Sequence, residues 1–195
     1  MGRKRQSGVV FLLITIVAIF SGCTKEPPSP QEILMQGATA WNQWREENPE
    51  AKPDLSGLVL ENAALASVRL EQFRLSGAQF RGADLTGAQL NGADLSGADL
   101  RGANFTSADL TSANLEGAQL GGAILVETQL AGASLVRADV GQADLRSADL
   151  SNATIDAMKN WETVKSFQDT NIYRVVLAPG GFKEHSLANG AKKES

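Results

Sequence analysis

A large apolar residue returns at every fifth position from Leu55 to Ile155. Of these 21 positions 17 are Leu, the others being Phe80, Phe105, Val140 and Ile155, and Ala stands two residues before 16 of them. The five departures at that second position are Pro53, Leu58, Val68, Phe73 and Thr128. No straight element has such a period. Side chains on a strand alternate faces, so positions five apart point oppositely. On an α-helix five steps leave them about 140° apart. For every leucine to enter one core, the backbone must bend at each unit. The alanine and the leucine then both face a common axis, and the three residues between one centre and the next alanine form the wall or the corner. Alanine suits a narrow tube that takes two inward side chains per side. Glycines such as Gly77, Gly82 and Gly97, each just before an inward alanine, fit a corner that tolerates little bulk. A repeat over about half the chain outranks local propensity, and it predicts a solenoid.

The units read ADLTG (83–87), ADLSG (93–97), ADLRG (98–102), ANFTS (103–107), ADLTS (108–112) and ANLEG (113–117). They resemble the pentapeptide-repeat family, whose consensus is A-(D/N)-L-x-x. The resemblance implies an all-β solenoid: a right-handed quadrilateral parallel β-helix over residues 53–157, with four units per turn. Residues twenty apart then stack at about 4.8 Å, and the residues just before the centres form four columns. No column sets two aspartates next to each other. Like charges at that spacing repel, so the sequence fits a turn of 20 residues.

The front of the chain has a different grammar. Arg3, Lys4 and Arg5 precede an apolar run from Val9 to Phe20, too short to span a bilayer as a helix. Basic start, short apolar run and small residues are the pattern of a secretory signal, assigned to residues 1–22. The stretch Phe20-Ser21-Gly22-Cys23 resembles the bacterial lipobox, with Phe20 where that motif has an aliphatic residue. The resemblance implies cleavage before Cys23 and acylation of its thiol, so membrane lipid is the expected partner of Cys23. Anchoring by more than one chain is stable. Residues 23–30, rich in proline, read as an extended tether. Cys23 is the only cysteine, which leaves no intramolecular disulfide. The expected location is the outer face of a cell membrane, towards the periplasm or exterior. Thr24 after the cysteine favours the outer membrane in a Gram-negative cell.

Residues 31–52 read as a capping helix. Ser29, Pro30 and Glu32 make a start signal. Leu34, Ala38, Trp41 and Trp44 share one face, and Asn48-Pro49 ends the run. Residues 158–195 read as an α/β capping region: a short helix at 160–167 led by Asn160, a strand at 171–178, a turn at Pro179-Gly180-Gly181 and a helix at 182–190. Both regions are expected to cover solenoid edges, which otherwise invite aggregation. The rival reading makes Trp161, Phe167 and Tyr173 a homodimer or partner surface at one end of the solenoid.

The composition argues against chemistry. His185 is the only histidine and lies in the tail. No activated nucleophile, paired carboxylate or metal-ligand spacing stands out, so no enzyme, cofactor or metal site is expected. Some pentapeptide-repeat proteins mimic duplex DNA and bind DNA gyrase. Here 12 acids between Asp54 and Ile155 are interleaved with Arg69, Arg74, Arg81, Arg101, Arg137 and Arg146, whereas mimicry needs a field of one sign. Without its first 22 residues the chain is acidic, a poor partner for nucleic acid. The expected function is a membrane-anchored scaffold that presents polar walls to an unidentified protein. Binding of a cell-wall or carbohydrate ligand is the alternative, and gyrase binding ranks below it.

Overall fold

The computed structural model describes residues 26–193. The segment expected to be a secretory signal and Cys23 lie outside the described residues. From Val59 onward each five-residue unit contributes one residue to a parallel bridge with the unit twenty residues later: Val59 with Gln79, Gln79 with Asp99, and so on to Asp139 with Lys159. The pairing uses both peptide groups. Leu95 N donates to Asn114 O at 2.8 Å, and Asn114 N donates to Ala93 O at 2.9 Å. The chain is thus a solenoid of five-residue units in which each coil takes up the backbone polar groups of the next, as buried peptide groups require.

Between bridges the chain turns a corner. Ala98 N donates to Leu95 O at 3.1 Å, closing a four-residue turn. Gly97, the third residue, has φ +64°, which marks the type II class. Added bulk is not what this corner excludes: a Cβ on Gly97 would meet nothing within 4 Å. Glycine is favoured because positive φ is costly for residues with a Cβ. Gln72, Glu127 and Arg137 hold the same conformation at equivalent corners.

The inward leucines and alanines form one continuous column, almost all without exposed surface. Phe73 replaces an alanine near the first coil and is also buried. Thr128 does so in mid-column, where its Oγ1 donates to Phe105 O at 2.8 Å. That bond lets a hydroxyl sit in the apolar axis without an unmet donor.

The stack continues past the five-residue frame. After Lys159 come Asn160, in the left-handed region, and a 3-10 turn over Trp161–Thr163. Pairing then resumes two residues late: Asp144 with Ser166, Asp149 with Asn171 and Thr154 with Val176. Phe167, Ile172 and Val175 fill the axis, and Thr170 Oγ1 donates to Leu145 O at 2.6 Å. The segment at 160–167 is therefore a bulge and the start of a further coil, and 171–178 bends around a corner of that coil.

The leading segment forms two helices, α1 (Pro30–Met35) and α2 (Ala38–Glu47). The start at Ser29 is a reciprocal box: Ser29 N donates to Glu32 Oε2 at 2.7 Å, and Glu32 N donates to Ser29 Oγ at 3.3 Å. The break in the run falls at Gly37, with φ +106°, where Ala64 O comes within 3.3 Å of where a Cβ would stand. The bend lets both Leu34 and Trp41 enter the core. After the further coil, α3 (Phe182–Ala188) seats Phe182 on Phe167 and Trp161, edge to face at 5.8 and 5.6 Å. Among the described residues no helix is long and apolar enough to cross a membrane.

Candidate functional site

The largest surfaces are the four walls, each built around one column. The residue before each centre points outward, but it also serves the corner. Asp84 Oδ1 accepts from Thr86 N at 3.0 Å, Asp109 Oδ1 from Thr111 N at 2.9 Å and Asn114 Oδ1 from Glu116 N at 3.1 Å. These are Asx turns, open to Asp and Asn alike. They give the acidic position of the repeat a structural duty in addition to a wall position.

Asparagine adds a second contact. Asn114 Nδ2 donates to Asp94 Oδ1 of the coil below at 3.0 Å, and Asn171 Nδ2 donates to Asp149 Oδ1 at 2.9 Å. The bridges place Gln79, Asp99, Gln119 and Asp139 in one column and Gln89, Asp109, Gln129 and Asp149 in another. No bridged pair among the described residues joins two acids.

The charges are paired locally. Arg101 bonds Asp99, Arg146 bonds Asp144, and Arg137 reaches Glu116 one coil below. Arg69 lies 3.5 Å from Glu71, and Arg74 lies 3.4 Å from Asp54. The Arg101 side chain, helped by the corner N–H, holds the Asp99 carboxyl below the usual carboxylate range. Arg146 does the same for Asp144, and the Thr86 hydroxyl followed by its N–H does so for Asp84. Such walls offer polar groups of which the Asp and Asn side chains spend hydrogen bonds within the wall.

The first coil would expose a bare edge, and groups of α1 and α2, side chains in two columns and a backbone N–H in a third, meet three of its four columns. Gln31 Nε2 donates to Asp54 O at 3.0 Å, and Trp41 Nε1 donates to Arg69 O at 2.7 Å. Asn42 accepts from Arg69 N at 2.9 Å while donating to Ser67 O at 3.0 Å. In the third column Ala38 N approaches Ala64 O at 3.4 Å. Trp41 also packs edge-on against Phe73 at 5.4 Å. Both helices present a second, outer side. There an apolar recess of about 230 Å³ opens between them, with Trp44 in its lining. The three- and four-residue spacing puts both tryptophans on one helix face; only Trp41 goes fully in.

At the other end, His185 packs edge-on against Trp161 and Phe167, with ring centres 5.4 and 6.1 Å away. Phe167 and Trp161 are themselves buried, so these rings belong to the core and do not form a surface. Tyr173 stands at a corner, with the Arg174 guanidinium 5.1 Å above its ring. Lys192 extends one column, pairing with Asn171. Among the described residues no cluster of three or more His, Cys, Asp or Glu could hold a metal ion.

The family model for pentapeptide repeats matches residues 59–97, 88–125 and 123–156, in eight copies. Among solved structures, the chain is similar to QnrB1, a plasmid-mediated fluoroquinolone resistance protein. Identity is 25%, the match covers 66% of this chain and 69% of that one, and the TM-score is 0.52. It is also similar to HetL of the cyanobacterium Nostoc sp. strain PCC 7120, a pentapeptide repeat protein involved in heterocyst differentiation regulation. There identity is 24%, coverage 74% and 69%, and the TM-score 0.36. No curated protein matches the chain.

Proposed function

The chain belongs to the pentapeptide-repeat family, and from that premise we propose that it is a non-enzymatic scaffold, fixed to a membrane by lipid on Cys23 and offering its walls to a protein partner outside the cytoplasm. In this reading the coil is right-handed, α1 and α2 close its first end, and the tail closes the other. The observation that carries the scaffold role is the state of the walls. Most of their acids are tied to corner N–H groups and arginines. What such a surface retains for function is shape and a broad area of small polar groups, which suits a flat protein contact. A carbohydrate site would favour exposed aromatic rings, and among the described residues the walls carry only the half-buried Tyr173.

The likeness to QnrB1 supports a second reading, in which the walls imitate duplex DNA and bind gyrase. The pairing of Arg69, Arg74, Arg101, Arg137 and Arg146 with wall acids opposes it, because these cations break up the single-sign field that imitation needs. Crosslinking in intact cells, followed by identification of the captured protein, separates the two readings: an envelope protein is expected, and capture of gyrase would reverse their order. For the anchor, the Cys23→Ser chain should lose fatty-acid label and leave the membrane fraction. Equal fractionation and no label in either form would remove the anchor.

A further inference from the structure

No residue of the coil lines the recess between α1 and α2. Leu34 and Trp41 are the side chains these helices bury fully, and Ile33, Ala38 and Trp44 pack partly against the same core. The recess is lined by the apolar Pro28, Ile33, Ala40 and Trp44 and the polar Gln36, Gln43 and Glu47. Trp44 touches Trp41 at 5.0 Å between ring centres, yet remains half-buried where Trp41 is fully enclosed. Met35, at the end of α1, is 54% exposed. Part of this apolar surface stays open to solvent.

We propose that this recess docks on the interfacial layer of a zwitterionic bilayer, the membrane that holds the acylated Cys23; the inference rests on the lipid-anchor reading. The length of the intervening chain selects this occupant. Pro28 lines the recess and lies five residues after Cys23. Fully extended, five residues reach roughly 17 Å, so an anchored molecule keeps the recess near the headgroups at high effective concentration. Tryptophan is suited to that layer, with an apolar body and a polar N–H. The charge of this end selects the lipid class. Glu32, Glu46, Glu47 and Glu50 lie on or just after the helices and outnumber the nearby cations, of which Lys52 bonds Gln72 Oε1 at 2.9 Å. Arg45 turns away from these glutamates, its Nη1 donating to Asn48 O, Pro49 O and Ala51 O and its guanidinium lying 4.9 Å from the Phe73 ring centre. Anionic headgroups would repel such an end; zwitterionic ones do not.

The test uses the full chain purified from membranes and reconstituted in phosphatidylcholine vesicles, with bromine on the acyl chains or without it. Trp161→Phe removes the tryptophan of the far end. Loss of emission is expected in brominated vesicles relative to plain ones, and this loss should disappear in a Trp44→Phe, Trp161→Phe chain. Should Trp44→Phe fold poorly, Ala40→Glu places a charge in the recess and is expected to abolish the loss while retaining Trp44. Flotation and the acyl mass on Cys23 report the anchor independently. A chain that floats and carries acyl mass but emits equally in both vesicles overturns the docking and leaves the anchor standing. Quenching that survives both Trp44→Phe and Ala40→Glu also overturns it. A chain with neither flotation nor acyl mass removes the anchor and the docking together.

Discussion

At Gly97 the solenoid depends on a backbone angle and on nothing that touches the α-carbon. The absent Cβ has no neighbour within 4 Å, so Gly97→Ala isolates the cost of positive φ. A loss of about 1 kcal/mol is expected by chemical denaturation, and a loss near zero would contradict the assignment of the corner. The wall aspartates give a second test at this scale. Hydrogen bonds from Thr86 and Arg101 lower the pKa of Asp84 and Asp99 in the folded chain. A lowered folded value stabilises above the unfolded value, about 3.9, and that contribution disappears as pH falls through the folded one. Stability should therefore be level near neutrality and fall below about pH 4. Asp84→Asn keeps an acceptor for Thr86 N but no longer titrates, so its stability should fall less steeply in acid when midpoints are compared across pH. These roles were only half legible in the sequence. The repeat displays Asp or Asn before each leucine, but the corner N–H that both accept becomes visible only once the turn is built.

The end elements divide in the same way. The start of α1 was legible, because Ser29, Pro30 and Glu32 are local signals. The break at Gly37 was not, because the spacing of Leu34, Ala38, Trp41 and Trp44 runs through it without interruption. Trp41 is the side chain on which this end depends: its indole N–H is the partner of Arg69 O. Trp41→Phe should retain most of the packing and leave that carbonyl unpaired, at a cost of about 1–3 kcal/mol. Faster amide exchange confined to residues 55–73 is the expected signature; uniform exchange through the coil would show that the helices support the whole stack instead. The last coil escaped the sequence because the bulge at 160–163 shifts the frame by two, and Thr170 and Val175 take places that alanine holds elsewhere. Thr170-Asn171-Ile172 keeps the order of the repeat, and a search that allowed a shifted frame would find it.

Over the whole molecule, the register of twenty explains which residues meet. It can be tested by shortening the chain. Removing 96–115, one full turn, leaves every column without stacked acids. Removing only 96–100 rotates the upper walls by one face and sets Asp109 on Asp84. At a spacing of about 4.8 Å that pair should cost about 1 kcal/mol in a water-like dielectric. Asp109→Asn should restore it in the five-residue deletion and gain nothing in the full chain, as thermal or denaturant midpoints would show. Coil cohesion is carried by peptide groups and by an axis of alanine and leucine, and neither depends on which side chains face out. Mutation can therefore redraw the exterior one residue at a time while the interior stays as it is. A lineage built on such a column can exchange one binding partner for another without first having to refold.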